Sequence, residues 1–230
     1  MIPSILKKTP KKKILIVVLG SDRGLCGSFN TDLLEKLDDI LSTYQTIKRD
    51  VDIWALGIHL SSKMKPWDIT PSYTERFTRR AIPTFKQAYR LGTKLLELFE
   101  SGHYLEILIL LNQEGSGNRL QISTEPLLPV RVSSHHQENV TKKWPPPIIE
   151  TPPESLLTQI YQQVTVIKFY SLLLASSAAE HAVRYRLLED ATQNIERLTE
   201  ELEMDIQRAR QESITAEMIE LASSAGLINS

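Results

Sequence analysis

Apolar positions along the chain follow two regimes that change near residue 153. Before it, short apolar runs are broken by Gly, Pro and Ser; after it, residues 154–225 contain neither Gly nor Pro. ILIVVL (14–19) is a continuous β-branched run, the pattern of a strand buried on both faces. Over 31–44, Leu33, Leu34, Leu37, Ile40 and Leu41 share one helical face, with Asn30 placed as N-cap and Asp32 in the first turn. VDIWALG (51–57) reads as a second strand, and 82–102 as a second helix with Pro83 in its first turn and Gly102 at its end. YLEILILLN (104–112) is a third strand, and LLPVRV (127–132) a short fourth, at an edge because Pro129 cannot donate. Strands alternating with helices predict right-handed crossovers and a mostly parallel, helix-covered sheet.

The second regime predicts one very long helix, or two nearly continuous ones. A stripe runs through Leu172, Ala175, Ala179, Ala182, Tyr185, Leu188, Ala191, Ile195, Leu198, Leu202, Ile206 and Ala209. Its steps of three and four fit a period near 3.5, which sustains a left-handed coiled coil. At about 1.5 Å per residue such a helix reaches roughly 108 Å, against about 30 Å for a small domain. Most of it is therefore expected to project, and its stripe to need a partner helix. No second long helix is visible in the sequence. The expected organisation is a basic tail at 1–13, an α/β globular domain at 14–132, a Pro-rich connector at 133–153 and a coiled-coil shaft at 154–230. The fold class is α/β: a small Rossmann-like, mostly parallel sheet with helices, plus the long C-terminal coiled-coil helix.

Composition narrows the function classes. The chain has 230 residues, 41% hydrophobic and 24% charged, with a net charge of −1. That balance gives no global pull toward nucleic acid or anionic lipid. A single Cys excludes an internal disulfide and a four-Cys zinc site. No apolar run approaches the ~20 residues of a membrane span. Lys7, Lys8, Lys11, Lys12 and Lys13 precede only six apolar residues, which is not a secretory signal. Without interleaved aromatics they read as a solvated tail rather than a phosphate- or lipid-binding patch.

Candidate chemistry is sparse. GSDRGLCGSFN (20–30) joins the first strand to the first helix, where helix N–H groups can cradle a phosphate. Gly20, Gly24 and Gly27 have neither the G-x-G-x-x-G spacing of a dinucleotide site nor the G-K-[ST] of a P-loop, so the spacing favours a packing role. Cys26 lies near a helix start but has no local base, and reads as a packing residue. His135, His136 and Glu138 lack the i, i+4 spacing of helical metal ligands, and His59, His103 and His181 are scattered. RARQESIT (208–215) places Arg208, Arg210 and Gln211 near the far end of the helix, where guanidinium groups can fork onto carboxylates of a surrounding protein.

These segments, in this order, resemble the gamma subunit of F-type ATP synthases. Ser21, Asp22, Arg23, Gly24, Leu25, Cys26, Gly27 and Asn30 match that family's S/T-D-R-G-L-C-G-x-x-N hallmark. LQISTEPLLPV (120–130) and the run from Trp144 to Glu154 match later stretches. In the last helix Ser176 or Ser177, Glu180, Ala182, Arg184, Ala191, Thr192 and Asn194 match. Arg208, Arg210, Gln211, Ile214, Thr215 and Glu217 match the terminal A-R-Q-x-x-I-T-x-E pattern. Ser28-Phe29 and Leu188 are small departures. A larger one is that only 13 residues precede the first strand, where the family has a long helix that pairs with the C-terminal one. The regulatory Cys pair of the family's chloroplast type is also absent.

The resemblance implies a non-catalytic rotor subunit without cofactor or metal. It would couple proton (or sodium) flow to ATP synthesis, and Arg208, Arg210, Gln211, Ile214, Thr215 and Glu217 would meet its partners. Those partners would be the alpha and beta subunits of the catalytic ring, the epsilon subunit, the membrane c-ring and an N-terminal-type helix, with no nucleic acid and no membrane insertion. Its place would be peripheral, on the cytoplasmic face of a bacterial inner membrane. Two other classes stay open from the residues alone: a nucleotide-dependent α/β enzyme with a coiled-coil dimerisation tail, and a non-rotary coiled-coil adaptor.

Overall fold

The computed structural model describes residues 13–46, 49–76, 82–115, 120–130 and 152–224. Among these residues the sheet has five strands, in the spatial order β3 (Tyr73–Glu75), β2 (Val51–Leu56), β1 (Ile14–Leu19), β4 (Glu106–Glu114) and β5 (Leu120–Leu128). β1 (Ile14–Leu19) lies at its centre, parallel to β2 (Val51–Leu56) and to β4 (Glu106–Glu114). All six β1 side chains are fully buried, as the unbroken apolar run requires. β3 (Tyr73–Glu75) extends the parallel set beyond β2, and β5 (Leu120–Leu128) closes the other edge antiparallel to β4. α1 (Phe29–Thr46) and α2 (Ile58–Met64) cover one face, while α3 (Phe85–Glu100) and α4 (Pro153–Ser224) contribute to the core on the other.

The expected alternation of strands and helices is present, with four local corrections. α2, the 3-10 turn Lys65–Trp67 and β3 were not expected, being too short to show a period. The last strand is 120–128 rather than 127–132: Pro126 lies inside it, and Pro129 follows it. The second strand ends at Leu56, one residue early, and the third runs 106–114 rather than 104–112. α3 starts at Phe85, and its cap is Thr84: Gln87 N–H donates to Thr84 Oγ1 (3.3 Å) and Thr84 N–H to Gln87 Oε1 (3.2 Å), so Pro83 precedes the cap. Gly102 does end the helix, at φ 73, its N–H donating to Phe99 O (2.9 Å).

At the N-terminal ends of the interior strands Asp52 accepts from Tyr104 Oη (2.8 Å) and from Lys13 Nζ (3.2 Å). Burial first, and then the Asp52 carboxylate, pushes the Tyr104 hydroxyl up to about 12.

α4 has the length expected of it, 72 residues. Packing nevertheless divides the chain within this helix, into a unit Met1–Arg184 and a unit Tyr185–Ser230, whereas composition changes at 153. The reason is that Phe169, Leu172 and Leu173 are buried with α3 and the sheet, and Ala179 with α1 and α2. Gly92 of α3 lets the two helices cross closely, since a Cβ there would stand 3.2 Å from Val166 Cγ2. This corrects how much of the expected stripe needs a partner. Its first members, Leu172 and Ala179, are covered by the chain's own sheet. On the part of α4 that belongs to the first unit, Leu156, Leu157, Ile160, Val164 and Ile167 are left in solvent. In the second unit Leu188, Ile195, Leu198, Leu202 and Ile206 are 49% to 63% exposed.

Candidate functional site

The hallmark segment forms a tight knot at the end of β1. Ser21 and Asn30 are fully buried and bind each other twice: Ser21 N–H donates to Asn30 Oδ1 (3.0 Å), and Asn30 Nδ2 to Ser21 Oγ (2.7 Å). Asn30 is therefore not the N-cap expected of it; α1 already begins at Phe29, and its amide is turned inward to hold the loop. Ser21 Oγ donates to Arg23 O (2.9 Å), and Cys26 Sγ lies 3.4 Å from Ser21 Oγ. Asp22 Oδ1 accepts from Ile58 N–H (2.9 Å), tying the loop to the start of α2. Leu25 (φ 56) and Gly27 (φ 53) adopt left-handed backbone, which the hydrogen bonds beneath them hold in place. Arg23, Gly24 and Leu25 face solvent, whereas Cys26 is 2% exposed.

Two glycines set the depth of the knot. A Cβ on Gly20 would stand 2.4 Å from Leu60 Cβ; one on Gly57 would stand 2.7 Å from Gly20 O. Gly57 is also at φ 126. Asn112, buried at the end of β4, donates through Nδ2 to Phe29 O (2.8 Å). Neither Gly57 nor Asn112 was singled out from sequence; a glycine directly after a strand and a polar residue ending an apolar run were the available signals.

In a parallel sheet, ligands enter outside the C-terminal ends of the strands where strand order reverses, here between β1 and β4. That crevice is filled. Ser176 of α4 donates to Leu19 O (3.4 Å), and Ser176, Ser177, Ala179 and Glu180 are all buried. Arg184 closes the turn onto Glu180, Nη2 to Oε1 at 2.6 Å. At the start of α1, Asp32 accepts from Ser28 Oγ (2.8 Å), so a carboxylate stands where a phosphate would need positive potential. The glycine loop is a packed turn. Calorimetric titration of the purified chain with ATP, ADP or NAD is accordingly expected to give no binding heat, and a micromolar constant for any of them would contradict this geometry.

The other candidates do not converge on chemistry. Among the described residues no cluster of His, Cys, Asp and Glu is arranged to hold a metal ion. His135, His136 and Glu138, with Lys7, Lys8, Lys11 and Lys12, lie outside the described residues, while His59 is on α2, His103 in the turn after α3 and His181 on α4. Arg208, Arg210, Gln211, Ile214, Thr215 and Glu217 are all exposed on the second unit. Arg208 pairs with Asp205 (3.5 Å) in full solvent, a contact of little energetic weight. No helix among the described residues is long and apolar enough to cross a membrane.

Comparison with known proteins agrees with this arrangement. A family model described as ATP synthase matches residues 2–226. An ATP synthase gamma chain of Parabacteroides distasonis is 24% identical over 215 residues, covering 94% of this chain and 74% of its own. That of Syntrophobacter fumaroxidans is 29% identical over 216 residues, covering 93% and 73%. The fold is similar to chains in the Euglena gracilis mitochondrial ATP synthase OSCP/F1/c-ring structure (TM-score 0.61, 17% identity, 94% of this chain and 73% of that one). It is also similar to one in the Tetrahymena thermophila mitochondrial ATP synthase central stalk and c-ring (TM-score 0.59, 20% identity, 81% and 79%).

Proposed function

This chain belongs to the ATP synthase gamma family, and from that premise we propose that it is the central-stalk rotor subunit of an F-type ATP synthase. The observation that carries the reading is a fold whose ligand crevice is occupied by its own helix, joined to a second unit whose helix face is left open. Such a chain makes and breaks no bonds. It acts by presenting different surfaces to its neighbours, and only contacts that differ between states can move an equilibrium in those neighbours. From Glu154 to Ser224 the helix contains neither Gly nor Pro, the residues at which helices most often kink, and that suits the task.

The catalytic ring of alpha and beta subunits would surround the second unit, and the α/β unit would stand toward the c-ring and the epsilon subunit. A further helix of the family's N-terminal type would lie on the apolar face of α4. The complex would sit peripherally on the cytoplasmic face of a bacterial membrane. The filled crevice argues against the nucleotide-dependent enzyme.

The test uses Arg210 and Gln211, exposed here and matching the family's terminal pattern. Replacing both with Ala in the assembled complex should leave the fold unchanged and lower proton-coupled ATP synthesis. A charge-assisted contact removed from a buried partner costs about 1.5–3 kcal/mol. That corresponds to roughly a tenfold or larger loss. Assembly with undiminished coupling would count against a partner-contact role for Arg210 and Gln211.

A further inference from the structure

One edge of the apolar stripe on the second unit carries charge that the chain itself does not answer. Leu188, Ile195 and Leu202 stand seven residues apart, and Glu189, Glu196 and Glu203 follow them directly. Each carboxylate therefore lies about 100° round the helix from its stripe residue, and the three form a row along one side. All three are exposed, and none forms an ion pair among the described residues. The row ends at Arg210, seven residues beyond Glu203.

The other edge is neutralised within the chain. There Asn194, Glu201 and Arg208 precede Ile195, Leu202 and Ala209. Asn194 is uncharged, Arg197 holds Glu201 (2.6 Å), and Arg208 lies 3.5 Å from Asp205. Arg186 is nine residues before Ile195, about half a turn away from the stripe. The unit as a whole leans the same way: residues 185–230 hold ten acidic side chains, four arginines and no lysine. Charges bordering an apolar stripe at heptad spacing are what coiled-coil helices use to choose their partners.

We propose that the helix covering this stripe is basic along one edge, with Lys or Arg at three successive heptads facing Glu189, Glu196 and Glu203. This rests on the reading of the open face of α4 given above and adds the chemistry of its occupant. A second copy of the chain can cover the stripe when nothing else does, but it sets acid against acid. Nucleic acid and anionic lipid are repelled by the same excess of carboxylates.

The full chain can be titrated at low salt into fluorescein-labelled peptides of about four heptads, with Leu at a and d and with Lys, Gln or Glu at e and g. The Lys peptide is expected to bind most tightly and the Glu peptide least. Glu196→Gln with Glu203→Gln, both exposed, should weaken the Lys peptide by about threefold to tenfold and leave the Gln peptide unchanged. Asp190→Asn with Glu200→Gln removes the same charge from the side away from the stripe and should have little effect. The proposal fails if the Lys and Gln peptides bind alike. It also fails if both double variants weaken the Lys peptide equally, since net charge alone would then be acting. In either case a peptide still binds, and the open face stands. If none of the three peptides binds, the proposal falls together with the open face itself.

Discussion

Gly57→Ala is expected to remove a large part of the stability of the α/β unit, whereas Gly24→Ala leaves it nearly unchanged. Gly57 follows β2 at φ 126, a conformation that strains any residue with a Cβ by about 1–3 kcal/mol. The new Cβ would also stand 2.7 Å from Gly20 O and 2.8 Å from Ser21 O. Both are backbone atoms of the hallmark loop, pinned by Ser21 N–H on Asn30 and by Gly20 N–H on Leu56 O (2.8 Å), so they cannot swing aside. Overpacking of a fixed wall adds about 1–3 kcal/mol. The combined cost, roughly 2–6 kcal/mol, is large against the 5–15 kcal/mol typical of a native domain. At Gly24 a Cβ meets nothing within 4 Å, so a change within about 0.5 kcal/mol is expected. Urea unfolding followed by tryptophan fluorescence separates the cases, Trp54 being buried in the sheet. Equal midpoints for the two variants would show that the loop does not depend on close approach to β2.

The sequence was readable where local pattern and tertiary role coincide. β1 is buried on both sides, and its unbroken apolar run could mean little else. Gly102 ends α3 because the left-handed backbone there suits glycine. Reading failed where one residue type serves two roles. Asn is a common N-cap, yet Asn30 is spent on Ser21, and only the fold of the loop back onto α1 reveals it. Pro suits a first helical turn and also the residue before a cap, so Pro83 was placed too far into α3. α2 and β3 are stabilised by neighbours rather than by period: the amide of Ile58 rests on Asp22, and Gly57 N–H donates to Glu75 O (2.9 Å). The expectation that the whole stripe on α4 needs a partner failed at its start for a similar reason. Between 156 and 179 the helix is apolar on more than one side, so periodicity alone cannot tell the face that meets the sheet from the face left open.

That open face leads to the largest expected effect. Leu188, Ile195, Leu198, Leu202 and Ile206 are each about half exposed or more. Burying such a side chain fully is worth about 1.5–3 kcal/mol, so roughly half of that remains unrealised at each. Over the five residues this leaves on the order of 4–8 kcal/mol, enough to drive association at ordinary protein concentrations. The i, i+4 pair Arg197–Glu201 cannot replace it, since exposed pairs of this kind contribute only about 0.3–0.5 kcal/mol. The purified 230-residue chain should therefore self-associate as its concentration rises in sedimentation experiments. At low concentration trypsin should cut first at Arg186, Arg197 and Arg208, before any site in the sheet. Adding a helix with apolar residues at matching three- and four-residue steps should suppress both self-association and cleavage, and Ile195→Glu with Leu202→Glu should abolish that protection. A dilute monomer whose second unit resists trypsin without any added helix would mean that the face is already covered, and the division between a self-sufficient α/β unit and a partner-dependent helix would fall.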